Sequence, residues 1–371
     1  MTNNFYKLKV EKVVKEIEDA TSVYFAIPAD LEEVFSFQAG QYLTLNFTVN
    51  GEICRRAYSI CTSPLDKELA VTVKRVEGGR VSNYINDTIQ AGSEIEVMPP
   101  MGKFTVAIAP DNRADYYMFA GGSGITPMMS ILKTVLEKEP NSTCNLLYGS
   151  KDQHSIIFEE SLKTITATYP GRLNIRHILS IPKLEKASGL GGLFGKKKVT
   201  WNGWTGYLTE RRVQDFLINN SPNGNAQKYL ICGPGIMMDM VTHSLENLNV
   251  PSEDIMIEYF ASPKKEKTSE DTIPFDGIAQ VKAKLNGKEV QVSIDDDTTI
   301  LDALIKKGAN PPFSCSSGAC STCMAKLTKG TVDMDSCYSL EEEELSNGII
   351  LTCQAHPTSE AIELDYDVIK K

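Results

Sequence analysis

Four cysteines near the carboxyl end, Cys315, Cys320, Cys323 and Cys353, follow the order C-x4-C-x2-C and then a distant fourth. That is the spacing of plant-type [2Fe–2S] ligands, and the chemistry it implies is transfer of single electrons. The intervening residues Ser316, Ser317, Gly318, Ala319, Ser321 and Thr322 are small, so the backbone can wrap closely and aim amide N–H groups at sulfur. Gly318 can take a positive φ without strain, and such amide bonds tune a cluster's potential. A zinc site usually pairs two C-x2-C knuckles, whereas only Cys320 and Cys323 form one here. A disulfide framework suits small secreted domains rather than a chain of 371 residues with nine cysteines. Cys54, Cys61, Cys144, Cys232 and Cys337 read as buried small hydrophobes or free thiols.

Other constellations suit a flat redox ring and its phosphates. In Arg56-Ala57-Tyr58-Ser59, expected at the start of a strand, a guanidinium can pair with phosphate, a phenol can stack on a ring, and a hydroxyl can bond a ring nitrogen. Gly78-Gly79-Arg80-Val81-Ser82 precedes a short helix expected over 83–88, whose free N–H groups would face a phosphate. The run from Gly121 to Pro127, GGSGITP, joins a buried strand over 116–120 to an apolar-periodic helix over 128–137. It is not the common G-x-G-x-x-G dinucleotide fingerprint. Cys232-Gly233-Pro234 follows a second apolar strand.

Three units are needed to position these residues. Segments 42–49, 69–76 and 94–98 are short, β-rich and punctuated by Gly, Pro and Asn, which predicts an antiparallel β-barrel over 1–110. Over 111–262, strands at 144–148, 174–179, 228–232 and 254–258 alternate with helices at 159–167, 210–218 and 236–247. That pattern predicts an α/β unit with a parallel sheet. The glycine- and lysine-rich stretch 187–198, ending in Lys196, Lys197 and Lys198, reads as an exposed loop or hairpin. Residues 263–277 are charged and poor in apolar side chains, hence a linker about which the last unit could swing. Beyond it, strands 279–285 and 289–294 flank Asn286-Gly287, a hairpin signal, and a helix is expected over 300–307.

Composition sets further bounds. The chain is 42% hydrophobic and 23% charged, with no run approaching the ~18 apolar residues of a membrane helix. Met1 is followed by polar Thr2, Asn3 and Asn4 rather than by an export signal, so no membrane attachment and a cytoplasmic location are expected. Of the net charge of −10, residues 278–371 contribute 15 acids against 9 bases. Such a surface disfavours nucleic acid and can steer a basic protein partner. Four histidines, with no His and carboxylate clustering, give no spacing for a non-haem iron site.

The order RAYS, GGRVS, GGSGITP and CGP, followed by a ferredoxin-type cysteine loop, resembles the ferredoxin-NADP reductase superfamily. More narrowly, it is similar to the three-part reductases of multicomponent oxygenases, from residue 6 to 367. The resemblance implies a β-grasp fold for 278–371. It implies FAD on the barrel, with Arg56 at its phosphate, Ala57 and Tyr58 at its ring, and Ser59 near its N5. Val73, Lys74 and Arg75 would line its ribityl or adenine side, while Gly79, Val81 and Ser82 would hold its pyrophosphate. Gly121, Gly122, Gly124, Ile125, Thr126 and Pro127 match the nicotinamide-nucleotide loop, Cys232, Gly233 and Pro234 would flank the nicotinamide, and Phe260 would pack on the flavin. Ser59 and Cys232 are thus positioning groups rather than nucleophiles. Ser150 and Lys151, helped by Arg176 or Arg211, favour the 2′-phosphate of NADPH over NADH, although Asp152 points the other way.

The function implied is transfer of electrons from NAD(P)H through FAD to the [2Fe–2S] cluster and on to an oxygenase. A diiron epoxidase of the phenylacetyl-CoA epoxidase type ranks ahead of a Rieske ring-hydroxylating dioxygenase as acceptor. The rival from another class is a redox sensor that binds both groups without turnover.

Overall fold

Alternation of apolar and polar residues builds the first unit. The computed structural model describes residues 5–186, 197–199, 201–222, 224–260, 277–295, 298–337 and 339–369. Strands β1 (Tyr6–Ile17), β2 (Ala20–Ala26), β3 (Tyr42–Val49), β4 (Glu52–Ser59), β5 (Leu69–Lys74) and β6 (Glu94–Val97) form one antiparallel sheet in the order β4-β3-β6-β1-β2-β5. A bridge between Ile60 and Val71 links its two edge strands and closes the barrel. Leu43, Leu45 and Phe47 face inward with Leu8, Val23, Val71 and Val73, and their burial is the main driving force here. Helix α1 (Arg80–Thr88) adds Val81 and Ile85 to that core. It starts three residues before the expected position, because Gly79 already serves as its N-cap.

Arg56, expected to open a strand, instead lies in the second half of β4. The strand begins at Glu52, just past a turn in which Asn50 and Gly51 have φ of 54° and 81°. Those positive angles are what a two-residue hairpin turn requires.

The second unit is a parallel sheet with helices on its faces, as expected from its βα alternation. Strands β7 (Ala114–Gly121), β8 (Thr143–Ser150), β9 (Leu173–Leu179), β12 (Trp204–Thr205), β13 (Ala226–Cys232) and β14 (Ile255–Glu258) pair in the order β12-β9-β8-β7-β13-β14. Every residue of β7 is buried, the signature of a central parallel strand covered on both faces. Helices α2 (Ile125–Lys138), α3 (Glu159–Thr168), α4 (Glu210–Asn219) and α5 (Gly235–Asn247) supply that cover. Between β9 and β12, strands β10 (Leu184–Lys186) and β11 (Lys197–Val199) form a separate antiparallel hairpin, so Lys197 and Lys198 lie in a strand. Residues 187–196, with Lys196, fall outside the described residues, as does nearly all of the expected linker.

The third unit is α+β. Its sheet runs β16-β15-β21-β17-β19, from β15 (Ala279–Leu285), β16 (Lys288–Ile294), β17 (Met324–Lys329), β19 (Ile349–Leu351) and β21 (Ala361–Asp365). Only the β15 and β21 pair is parallel. A small ladder joins β18 (Val332–Met334) to β20 (Ala355–Pro357), and α6 (Ile300–Lys306) and α7 (Glu342–Ser346) complete the unit. Asn286 and Gly287, with φ of 53° and 73°, make the hairpin turn between β15 and β16.

This unit sits on the barrel. The hydroxyls of Thr44 and Ser314, both essentially excluded from solvent, are 2.7 Å apart across the junction.

Candidate functional site

The cysteine loop begins immediately after that junction. Ser316 and Gly318 take positive φ, 53° and 69°, which curls 315–320 back on itself. Gly318 is also pressed against Ser336 and Gln354, where a Cβ would come within 2.8 Å of the Ser336 Oγ. The curled backbone turns N–H groups toward sulfur. Cys315 N donates to Cys320 Sγ at 3.5 Å and Ser317 N to Cys315 Sγ at 3.4 Å, while Gln354 Nε2 stands 3.7 Å from Cys353 Sγ.

The four thiols fall into two contacting pairs. Hydrogen bonding from the Cys315 thiol holds Cys320 below the ordinary thiol range, and the Cys323 thiol likewise lowers Cys353. Their donors, Cys315 and Cys323, are held well above it. Two pairs of soft sulfur donors with amide bonds to their sulfurs would suit a [2Fe–2S] cluster.

Beside this loop opens a cleft. A narrow cavity of about 50 Å³ is lined by Tyr42, Arg56, Ala57 and Ser59 from the barrel, by Glu258 at the end of β14 with Tyr259 and Phe260 after it, and by Cys315, Ala319 and Cys320. A wider cleft of about 710 Å³ adjoins it and shares Tyr42, Glu258, Tyr259, Ala319 and Cys320. A further groove of about 620 Å³ between β16 and α6 is lined by none of these residues.

Ser59 is buried at the end of β4, and its Oγ donates to Glu258 Oε2 at 3.2 Å. Burial pushes the Glu258 carboxyl up to about 8, partly offset by that bond. Tyr58 and Tyr42 are also pushed up by burial, so both rings stay protonated phenols. Phe260 is 38% exposed, an aromatic face at the cavity mouth.

The other barrel candidates divide. Gly79 caps α1 without a side chain, leaving the first N–H groups of α1 free of a side-chain cap. Val73 and Val81 turn their side chains into the barrel core, so only their backbone is available to a ligand. Ser82 Oγ accepts from Val76 N at 3.1 Å and holds the glycine turn. Arg75 is committed to Asp87, with Nη2 to Oδ1 at 2.6 Å. Lys74 Nζ approaches the next unit, 3.9 Å from where a Cβ on Gly122 would stand.

Three strand ends meet there, since Cys232 is in register with Ala120 on one side and Glu258 on the other. Ligands of open α/β sheets bind at such carboxyl ends. The close neighbours of Gly121 and Gly124 are the chain's own atoms: a Cβ would lie 2.6 Å from Pro234 and 2.0 Å from the Cys232 carbonyl oxygen, respectively. Gly233 in turn packs on Gly121. Gly122, by contrast, has φ of 52° and would bring a Cβ no nearer than 3.9 Å to another residue, at Lys74 Nζ. Tyr148 Oη fixes that glycine by donating to its carbonyl at 3.0 Å. Ile125, Thr126 and Pro127 form the buried first turn of α2, where proline's missing N–H costs nothing. Burial holds the Cys232 thiol well above its ordinary range.

At the end of β8, Ser150 is buried and Lys151 exposed. Asp152 turns inward: it accepts from His154 N at 3.0 Å and lies 3.4 Å from Lys183. Arg176 lies against Trp204, with its guanidinium carbon 5.4 Å from the ring centre, and Arg211 is exposed. Glu258 has no counterpart among the sequence-derived candidates. A lone carboxylate ending the apolar run Ile255-Met256-Ile257 is its only local signal.

A flavin barrel, a nucleotide sheet and a four-thiol loop around one cleft define a three-part flavin and iron–sulfur reductase. Family descriptions agree with each part: an oxidoreductase FAD-binding domain matches 7–106, an oxidoreductase NAD-binding domain 118–243, and a 2Fe-2S iron-sulfur cluster binding domain 283–358. The chain is 36% identical to one of the subunits of 1,2-phenylacetyl-CoA epoxidase from Escherichia coli (strain K12), over 98% of each. It is 34% identical to the ferredoxin reductase component of 3-ketosteroid-9-alpha-monooxygenase of Mycobacterium tuberculosis (strain ATCC 25618 / H37Rv), over 97% of this chain and 96% of that one. Phthalate dioxygenase reductase has the same fold, with a TM-score of 0.63 and 23% identity over 98% of each chain.

The chain therefore belongs to the ferredoxin-reductase-like family of oxygenase reductases that carry FAD-binding, NAD-binding and 2Fe–2S domains. It is an NAD(P)H oxidoreductase that passes electrons through FAD to a [2Fe–2S] cluster. Among the described residues, no helix is long and apolar enough to cross a membrane.

Proposed function

We propose that this chain is the NADPH-dependent reductase component of an oxygenase of the phenylacetyl-CoA epoxidase type, working in the cytoplasm. The observation that carries the reading is the shared cleft: Arg56, Ala57 and Ser59 on one wall face Cys315, Ala319 and Cys320 on the other. The epoxidase relative named above supports the choice of partner. Residues 1–110, 111–262 and 278–371 are the working units, joined by a linker at 263–277.

When bound, FAD accepts a hydride from the nucleotide and the cluster carries single electrons onward. Arg56 holds the flavin phosphate, with Gly79 and the start of α1 at the pyrophosphate. Tyr58 would stack on the ring and Phe260 would pack against it, and Ser59 with Glu258 would hold a proton beside it. Gly122, at the open turn, faces the nucleotide diphosphate. Cys232 stays a neutral thiol and fills space beside the nicotinamide. Ser150 and Lys151 meet the 2′-phosphate, since Asp152 is committed to capping its own turn and to Lys183. Cys315, Cys320, Cys323 and Cys353 hold the cluster.

The test is reconstitution of purified holoprotein with purified epoxidase subunits and phenylacetyl-CoA. NADPH-driven epoxide formation is expected, with NADH poorer. Electron delivery to a ring-hydroxylating oxygenase but not to the epoxidase would overturn the choice of partner. Absence of any nucleotide-driven reduction would favour the sensor.

A further inference from the structure

The outward face of β3 and β4 carries a group that the cofactor sites do not use. Side chains alternate along paired strands, so Thr44, Asn46, Arg55, Ala57 and Ser59 share the face opposite the barrel core. Arg55 is only 5% exposed, although it is charged and lies on the outside of its own unit.

Its guanidinium sits between two aromatic rings, 4.8 Å from the ring centre of Phe5 and 4.3 Å from that of Phe313. Nη2 donates to Asn310 at 3.2 Å and Nε to Asn46 at 3.4 Å, while Nη1 has no partner. Phe313 and Asn310 belong to the cluster-bearing unit, and Phe313 is only two positions from Cys315. A planar cation can stack on two rings and still donate at its edge, which an ammonium cannot do. An ion pair across this junction, Lys103 with Glu341 at 3.7 Å, has both side chains 74% exposed. Exposed pairs of that kind fix little.

Ser314 stands beside Phe313 and bonds Thr44, so the clamp and the first cluster ligand are adjacent in the chain. We propose that Arg55 is the positioning residue that seats the cluster-bearing unit on the flavin barrel and so sets the approach of Cys320 to the cleft. The proposal rests on the reductase reading above. It adds that this seated arrangement, held by one arginine, is the state in which the cluster receives electrons.

The experiment uses the full-length holoprotein with Arg55→Met, Arg55→Lys and, from the opposite side, Phe313→Leu. Ferricyanide takes electrons at the flavin, and cytochrome c takes them through the cluster. In Arg55→Met, ferricyanide reduction is expected to stay within about twofold of the parent. Cytochrome c reduction should fall about tenfold or more, since small displacements of reacting groups are costly. The cluster's absorption spectrum and midpoint potential should be unchanged. Arg55→Lys should recover only part of the loss, and Phe313→Leu should show the same split with Arg55 intact.

Unchanged cytochrome c reduction in both Arg55→Met and Phe313→Leu would overturn the proposal. So would a parallel fall of both activities with loss of flavin or cluster absorbance, which would make Arg55 a folding residue. A parent protein that reduces neither acceptor would instead overturn the reductase reading itself.

Discussion

The Ser59 hydroxyl donates to the Glu258 carboxylate across 3.2 Å, joining the end of β4 in the barrel to the end of β14 in the parallel sheet. Burial raises Glu258 to about 8, so it is mostly protonated at pH 7. Because its folded value exceeds the unfolded carboxyl range, the native state binds the extra proton. Its contribution to stability is then full below about pH 4.5, falls as pH rises, and is lost above about pH 8. The full swing is about 5 kcal/mol. Melting curves of the cofactor-free parent and of Glu258→Gln at pH 5, 6.5 and 8 share the opposite slope from the lowered Cys320 and Cys353 thiols, so the parent should lose stability relative to the variant as pH rises. Equal slopes in parent and variant would refute the assignment.

Cys320 lies at the flavin cleft and is the thiol of its pair held as the better anion. Cys320→Ser should lose the cluster's visible absorbance and iron content and reduce cytochrome c at background rates. Ferricyanide reduction should survive, because the barrel and sheet are untouched. Equal loss of both activities would show that the cluster is not the outlet.

Gly124 and Gly122 should respond differently. A Cβ on Gly124 would meet the Cys232 carbonyl oxygen at 2.0 Å, a backbone atom that cannot step aside. Gly124→Ala should cost about 2–4 kcal/mol and weaken nucleotide binding, as overpacking at a tight site does. Gly122 has room but a left-handed φ, so Gly122→Ala should cost only about 1–2 kcal/mol. Denaturant unfolding of the two variants provides the comparison, and equal destabilisation would contradict it.

Lys151 follows β8 as an exposed cation, while Asp152 is turned inward. Lys151→Glu should raise the KM for NADPH about tenfold or more, from loss of a charge-assisted bond to phosphate, and leave that for NADH nearly unchanged. A parallel change in both would place the 2′-phosphate elsewhere.

The parallel sheet was legible because β7, β8 and β13 end in apolar runs that lead into glycines, at Gly121, Gly149 and Gly233. Strand β1 was not, because Lys7, Lys9 and Glu11 interrupt it on its exposed side. The start of β4 was readable in principle from Asn50-Gly51, the same turn chemistry recognised at Asn286-Gly287. Cysteine spacing disclosed the cluster loop, since its ligand contacts are mostly local. Glu258 escaped notice because its partner is 199 positions away, and Arg55 meets Asn310 across 255. Pattern along the chain carries no trace of such meetings.

The ribbon of β3 and β4 has no face left for water along its middle: Leu43 and Leu45 fill the barrel, and Thr44 and Arg55 are covered by the neighbouring unit. Separating the units would break the Thr44 to Ser314 bond and uncover one side of an arginine. A two-unit fragment ending near residue 260 would thus inherit a scar, a half-paired strip of Thr44, Asn46 and Arg55 shaped for a neighbour it no longer has. The fusion has been written into the barrel itself, and trimming the ferredoxin unit away calls for resurfacing that strip as well as cutting the chain.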